Sequence, residues 1–225
     1  MTTWRWRRPV AGRPWQWCRV YHRGRRTPRG DSPRDYGPIA RFDPHTPAAA
    51  APGVDPQGRA VLYAGQDLAT SACEVFGEAG EAQLCPAWRV ALLRPARQLT
   101  LFDLNAPGSA MAIGALPSLA DGAYSRQLTQ SWARAVYEDD PTGRHLDGIR
   151  YRSAYNGGLA LALWDSAATV RVGSDAVGTE QDLALRHPEM LARLQAAMAP
   201  RHVVITLVEP ADCARCHDDP LPVYG

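Results

Sequence analysis

Residues 60–78 read as a strand followed at once by a helix. The run 60–65 is apolar and ends in Gly65, the pattern of a short buried strand. Asp67 predicts an N-cap, and the helix it opens runs to Glu78 with Leu68, Ala72, Val75 and Phe76 on its apolar stripe. Further strands are predicted at 16–21, 39–42, 88–93, 99–104, 146–152, 159–164, 169–172 and 203–208. Helices are predicted at 110–116 and 125–137, and a third from Thr179, paired with Asp182 as a capping box, to about 198. Residues 44–58 hold four prolines and two glycines and predict an irregular loop. Strands near both ends with helices irregularly between them lack the βαβ rhythm of a doubly wound sheet. The expected class is α+β with a mostly antiparallel core. No Gly-x-Gly-x-x-Gly follows an early strand, which argues against a Rossmann site.

A chain of 225 residues, 45% hydrophobic and 21% charged, suits one globular domain with tails. The expected division is an arm at 1–14, a main domain at 15–210 and a tail at 211–225. No run approaches the roughly 18 apolar residues of a membrane span, and the Arg-rich start has no apolar stretch after it. A cytoplasmic protein is expected, with no membrane partner. All basic residues are Arg, ten of them within residues 1–34 against one Asp, so Arg at a given position is weak evidence for a forked contact.

The arm interleaves Trp4, Trp6, Trp15 and Trp17 with Arg5, Arg7, Arg8 and Arg13. Stacking on single-stranded nucleic acid is one reading; packing against the domain or another chain is the other. A non-catalytic nucleic-acid-binding module therefore stands as the alternative function. In the tail, Cys213-Ala214-Arg215-Cys216-His217 matches the short haem-attachment pattern, and could also supply zinc ligands if a fourth came from elsewhere. A polar tail of reduced thiols is the reading carried forward, and no metal is expected.

Four separated residues carry chemistry. Arg41 precedes Phe42, Tyr63 ends the strand 60–63, Glu74 lies off the helix's apolar stripe, and Ser153 precedes Asn156-Gly157-Gly158. A phosphate-binding cation, an aromatic wall, a carboxylate and a hydroxyl are the parts needed to hold a dinucleotide and break its glycosidic bond. Each has a plainer reading: surface charge for Arg41 and Glu74, a core phenol for Tyr63, a turn closure for Ser153.

Together these residues resemble the RES family, bacterial toxins that attack NAD on an ADP-ribosyltransferase-like fold. The resemblance runs from Trp17 to Asp165, and is most specific from Tyr63 to Glu74 and from Asp147 to Asp165. It implies a split two-sheet β core decorated by helices. By position it makes Arg41, Glu74 and Ser153 the residues that name the family, with Tyr63 beside them and Arg19 as a second phosphate contact. Asn156 is a further candidate for the NAD site. The connection between Arg41 and Tyr63 departs from the family pattern by the insertion at 44–58. The resemblance also implies NAD as substrate and a helix-turn-helix antitoxin as partner; a homo-oligomer is a further possibility.

Overall fold

The structure is a computed structural model that describes residues 2–7, 17–120 and 124–218. Its strands are Thr3–Trp6 (β1), Trp17–His22 (β2), Tyr36–Gly37 (β3), Gly53–Val54 (β4), Val61–Gly65 (β5), Glu81–Leu84 (β6) and Trp88–Pro95 (β7). Then follow Leu99–Asp103 (β8), Gly148–Arg152 (β9), Leu159–Trp164 (β10), Val170–Val172 (β11), Asp182–Ala184 (β12) and Val204–Leu207 (β13). The helices are Leu68–Phe76 (α1), Ser109–Ala112 (α2), Arg126–Asp139 (α3), Pro188–Met198 (α4) and Ala214–Asp218 (α5).

The main sheet runs β1-β8-β9-β10-β5-β2-β7-β11, with β12 also on β7. Its ladders are antiparallel apart from β8–β9. The fold is α+β and mostly antiparallel, as the sequence implies. The sheet is continuous on either side of one weak seam. β2 pairs with β7 along its whole length, whereas β2 and β5 share only the pair Cys18↔Gly65. Beyond that pair the two halves diverge.

The apolar runs alternate between two buried faces. In β10, Ala160, Ala162 and Trp164 join the cluster formed with residues of α3, while Leu161 and Leu163 join a cluster that also holds Trp17, Leu93 and Leu101. That second cluster draws on both halves of the sheet, so the halves enclose it. A third cluster lies under α1 and α4, with Val20, Phe76, Trp88 and Leu194. Burial on both faces explains why β10 reads as a continuous apolar run. Each large side chain so buried contributes about 1.5–3 kcal/mol.

Helix α1 straddles the seam, packing on β2, β5 and α4. Asp67 caps it, accepting from Thr70 N at 2.7 Å. Its approach is close: a Cβ on Gly65 would lie 2.5 Å from Ser71 N, so only glycine fits there. Val75, expected on the apolar stripe, is 36% exposed; Ala72, Cys73 and Phe76 face the core.

Several expectations need correction. Residues 39–42 form no strand: the Asp43 carboxylate accepts from Ile39 N at 2.6 Å and Ala40 N at 3.0 Å, which curls the segment into a turn. Thr179 and Asp182 open no helix. Asp182 lies in β12, its carboxylate 2.7 Å from Arg89, and α4 starts only at Pro188. Within the arm, residues 3–6 are an edge strand on β8 with Trp6 buried; residues 8–14 lie outside the described residues. β6 was not anticipated; it pairs in parallel with β13.

Candidate active site

A cavity of about 310 Å³ opens at the seam, within the range of small-molecule sites. Its walls come from β2 (Val20), the turn at 39–41, β5 (Tyr63 to Gly65) and α1 (Ser71, Glu74, Val75). The seam leaves Val20 N–H without a strand partner, and Ser71 Oγ accepts it at 2.6 Å. Glu78, Arg126, Tyr155 and Arg215 complete the rim.

Glu74 is half-buried, and its Oε2 accepts from the Tyr151 hydroxyl at 2.7 Å. Tyr151 is fully buried in β9, its ring 4.6 Å from that of Phe42 and edge-on to Tyr63 at 6.5 Å. Burial, then the neighbouring Glu74 charge, pushes the Tyr151 phenol well above its ordinary value. Burial and the Asp43 charge do the same to Tyr63, whose hydroxyl donates to Asp43 Oδ1 at 2.8 Å and accepts from Phe42 N at 3.0 Å. Both phenols stay protonated near neutral pH, so they orient neighbours and do not act as bases.

Arg41 is held from two sides. Its Nη2 donates to Arg152 O at 2.9 Å, and its guanidinium lies about 5 Å over the rings of Phe42 and Tyr151. Its Nη1 is buried with no hydrogen-bond partner among the described residues. A buried unpaired donor on a half-buried cation is costly unless a ligand supplies an acceptor. The turn that presents Arg41 is built by Asp43, itself fully buried, which pairs with Arg34 at 2.7 Å; Gln130 donates to Ala40 O at 3.1 Å.

Of the residues singled out from sequence, Arg41, Tyr63 and Glu74 line this one cavity. Three others do not line it. Ser153 is buried and closes the turn between β9 and β10: its Oγ accepts from Tyr155 N at 3.3 Å, and its N donates to Gly158 O at 2.8 Å. Asn156 pins that turn to α1, donating to Thr70 Oγ1 at 3.3 Å. Arg19 donates to the carbonyls of Gly30 and Ser32, and burial pulls its guanidinium down to about 10. It ties down the loop after β2. The turn reading fits Ser153, and Ser153 and Asn156 together set the position of Tyr155 on the rim.

Sequence reasoning missed Tyr151, Arg126 and Arg215. Strand alternation could have found the first, since Tyr151 points inward between the outward Arg150 and Arg152. Nothing local marks the two rim arginines, which reach the site from α3 and α5.

A comparison with protein families now bears on this geometry: the RES domain matches residues 13–186. The chain belongs to the RES domain family. No curated protein matches it. The match is wider than the resemblance read from motifs, and takes in the whole seam, α1 and all the cavity walls except Arg215. RES domains are NAD-related, toxin-like enzymatic domains. β1 and the segment from α4 to α5 lie outside the matched residues.

Among the described residues the arm's tryptophans pack against the domain, one of the two readings of the arm; Trp15 lies outside them. Trp6 and Trp17 are buried and meet edge-on at 6.2 Å, Trp4 meets Trp17 at 5.8 Å, and Arg150 caps the Trp4 ring. Among the described residues no helix is long and apolar enough to cross a membrane.

Proposed function

We propose that this RES domain cleaves the nicotinamide–ribose bond of NAD in the seam cavity. The observation that carries the reading is the pairing of a hydroxyl-oriented carboxylate, Glu74, with a guanidinium, Arg41, one of whose buried nitrogens has no partner among the described residues, on one cavity. Nicotinamide leaves as a neutral molecule while positive charge builds on the ribose. A fixed carboxylate beside that sugar stabilises the charge as it forms, and the leaving group needs no general acid. Arg41 takes a phosphate oxygen, and Arg126 and Arg215 on the rim offer further contacts for the pyrophosphate. Tyr63 forms an aromatic wall. The ribosyl cation is captured by water, phosphate or a protein side chain reaching the open face of the sugar. A helix-turn-helix antitoxin remains the partner implied by the family.

The test is incubation of the purified protein with NAD, with and without phosphate or a protein acceptor, while measuring nicotinamide release. ADP-ribose, its 1-phosphate or labelled protein then identifies the acceptor. Glu74→Gln should cut release by about 100-fold or more with the unfolding midpoint unchanged. Near-normal release by a folded Glu74→Gln protein, or no release by the wild type with any acceptor, overturns the proposal.

A further inference from the structure

The C-terminal segment returns to the core with its two cysteines pointing at residues from distant parts of the chain. His22 ends β2, Cys85 directly follows β6, and Cys213 and Cys216 flank the start of α5. One imidazole nitrogen and three sulfurs lie within 4.8 Å of one another. Cys85 Sγ is 3.3 Å from His22 Nε2 and 3.5 Å from Cys216 Sγ; Cys216 and Cys213 Sγ lie 3.4 and 3.9 Å from the same nitrogen.

Those four distances suit the edges of a tetrahedron of ligand atoms about a metal ion. Zinc bonds of about 2.3 Å to sulfur and about 2.0 Å to nitrogen require edges of about 3.8 Å between sulfurs and about 3.6 Å from sulfur to nitrogen. A disulfide needs about 2.05 Å between sulfurs, and all five cysteines are free. Burial of cysteine alone carries little information, because the thiol behaves as a small apolar group. Convergence of three thiols on one imidazole nitrogen is different. Cys85 and Cys213 are almost fully buried in the apolar cluster under α1 and α4, which shields the site from water. The His22 ring stands edge-on to Trp88 at 5.2 Å, and Cys216 N donates to Cys213 O at 3.0 Å, so both sides of the site are braced.

We infer that His22, Cys85, Cys213 and Cys216 form a structural zinc site that clamps the C-terminal segment onto the domain. Three thiolates and an imidazole suit zinc by softness and by four-coordination, and with all four positions filled by protein the site is closed to substrate. Binding expels the three thiol protons to solvent. The fourth ligand is not the neighbouring His217, whose Nε2 lies 2.7 Å from Ala211 O. The clamp also has a consequence for the cavity: Arg215 sits between the two tail ligands and lines the rim beside Glu78. Two ligands, Cys213 and Cys216, lie beyond the matched RES residues, so the clamp joins this chain's C-terminal addition to its domain.

The experiment is metal analysis of the full chain purified without a metal-affinity tag, followed by exchange of zinc for cobalt. One zinc per chain is expected, and the cobalt form should show intense tetrahedral d–d bands with thiolate-to-cobalt charge transfer. Cys85→Ser, Cys216→Ser and His22→Ala should lose the metal, while His217→Ala keeps it. Should those variants fail to fold, Cys216→His keeps a four-ligand set: it should hold one cobalt with the charge-transfer intensity down by about one third. Absence of cobalt bands in wild-type protein, full metal retention by Cys85→Ser or Cys216→Ser, metal loss in His217→Ala, or a disulfide in the freshly purified protein each overturns the assignment. None of these readouts depends on NAD turnover.

Discussion

Arg41 and Tyr151 act on the cavity in different ways, and kinetics should separate them. Arg41 brings a buried donor with no partner among the described residues, which a ligand oxygen would satisfy. A hydrogen bond from a charged donor is worth about 1.5–3 kcal/mol, so Arg41→Ala should weaken NAD binding by about ten- to a hundredfold and affect turnover of bound NAD less. Equal affinity in calorimetry would mean that another cation holds the phosphates, Arg126 and Arg215 being next to test. Tyr151 touches Glu74 and not the cavity, so it is a positioning residue. Tyr151→Phe removes one hydrogen bond from a carboxylate, and kcat should fall by about tenfold or more while KM for NAD moves less than about threefold. A KM effect with kcat intact would contradict that role. The carboxylate, the cation and the Tyr63 wall were legible because each sits in a distinctive local setting: an N-capped helix, a turn, a strand. Ser153 and Asn156 have equally suggestive settings, but Ser153 spends its hydrogen bonds within the β9–β10 turn, and Asn156 spends its own on that turn and on Thr70 of α1. A motif gives residue type and order, not which side chains still have a free partner.

At the scale of elements, the seam between β2 and β5 is where structure and site are made by the same few groups. A single pair joins the strands, and Ser71 on α1 repairs the backbone beyond it. Ser71→Ala leaves Val20 N–H buried and unpaired, a loss of about 1–3 kcal/mol of stability by urea unfolding. A change below about 0.5 kcal/mol would mean that the seam admits water, and that α1 is not what holds it in shape. Most elements of this sheet were readable from apolar runs, since strands buried on both faces carry a strong pattern. The errors fall where a side chain overrides it. Asp43 turned a strand-like run into a loop, and Asp182 spent its carboxylate on Arg89 across β12 and not on a helix start. β6 reads Glu81-Ala82-Gln83-Leu84, too short and too polar to signal a strand without its parallel partner β13.

For the whole molecule, the RES match covers residues 13–186, and of the segments outside it β1 serves the fold while α5 also brings Arg215 to the cavity rim. β1 is the clearer case. Its register on β8 aligns Trp6 with Leu99, and Trp6 enters the cluster enclosed by both halves of the sheet, against Trp17. Deleting residues 1–13 would strip that tryptophan away and leave β8 as a bare edge ready to pair with another chain. The buried Trp6 ring alone is worth about 2–3 kcal/mol, by analogy with other large apolar side chains. The truncated chain should therefore unfold at lower urea concentration and aggregate more readily. No cavity-lining residue comes from β1, so nicotinamide release per folded molecule should stay within a few-fold of the full chain. Assays at a temperature where both proteins are folded, with the folded fraction measured by circular dichroism, separate the two effects. An unchanged unfolding midpoint would show that the strand is dispensable to the fold. Lost turnover in a fully folded truncation would instead mean that the arm reaches the NAD cavity.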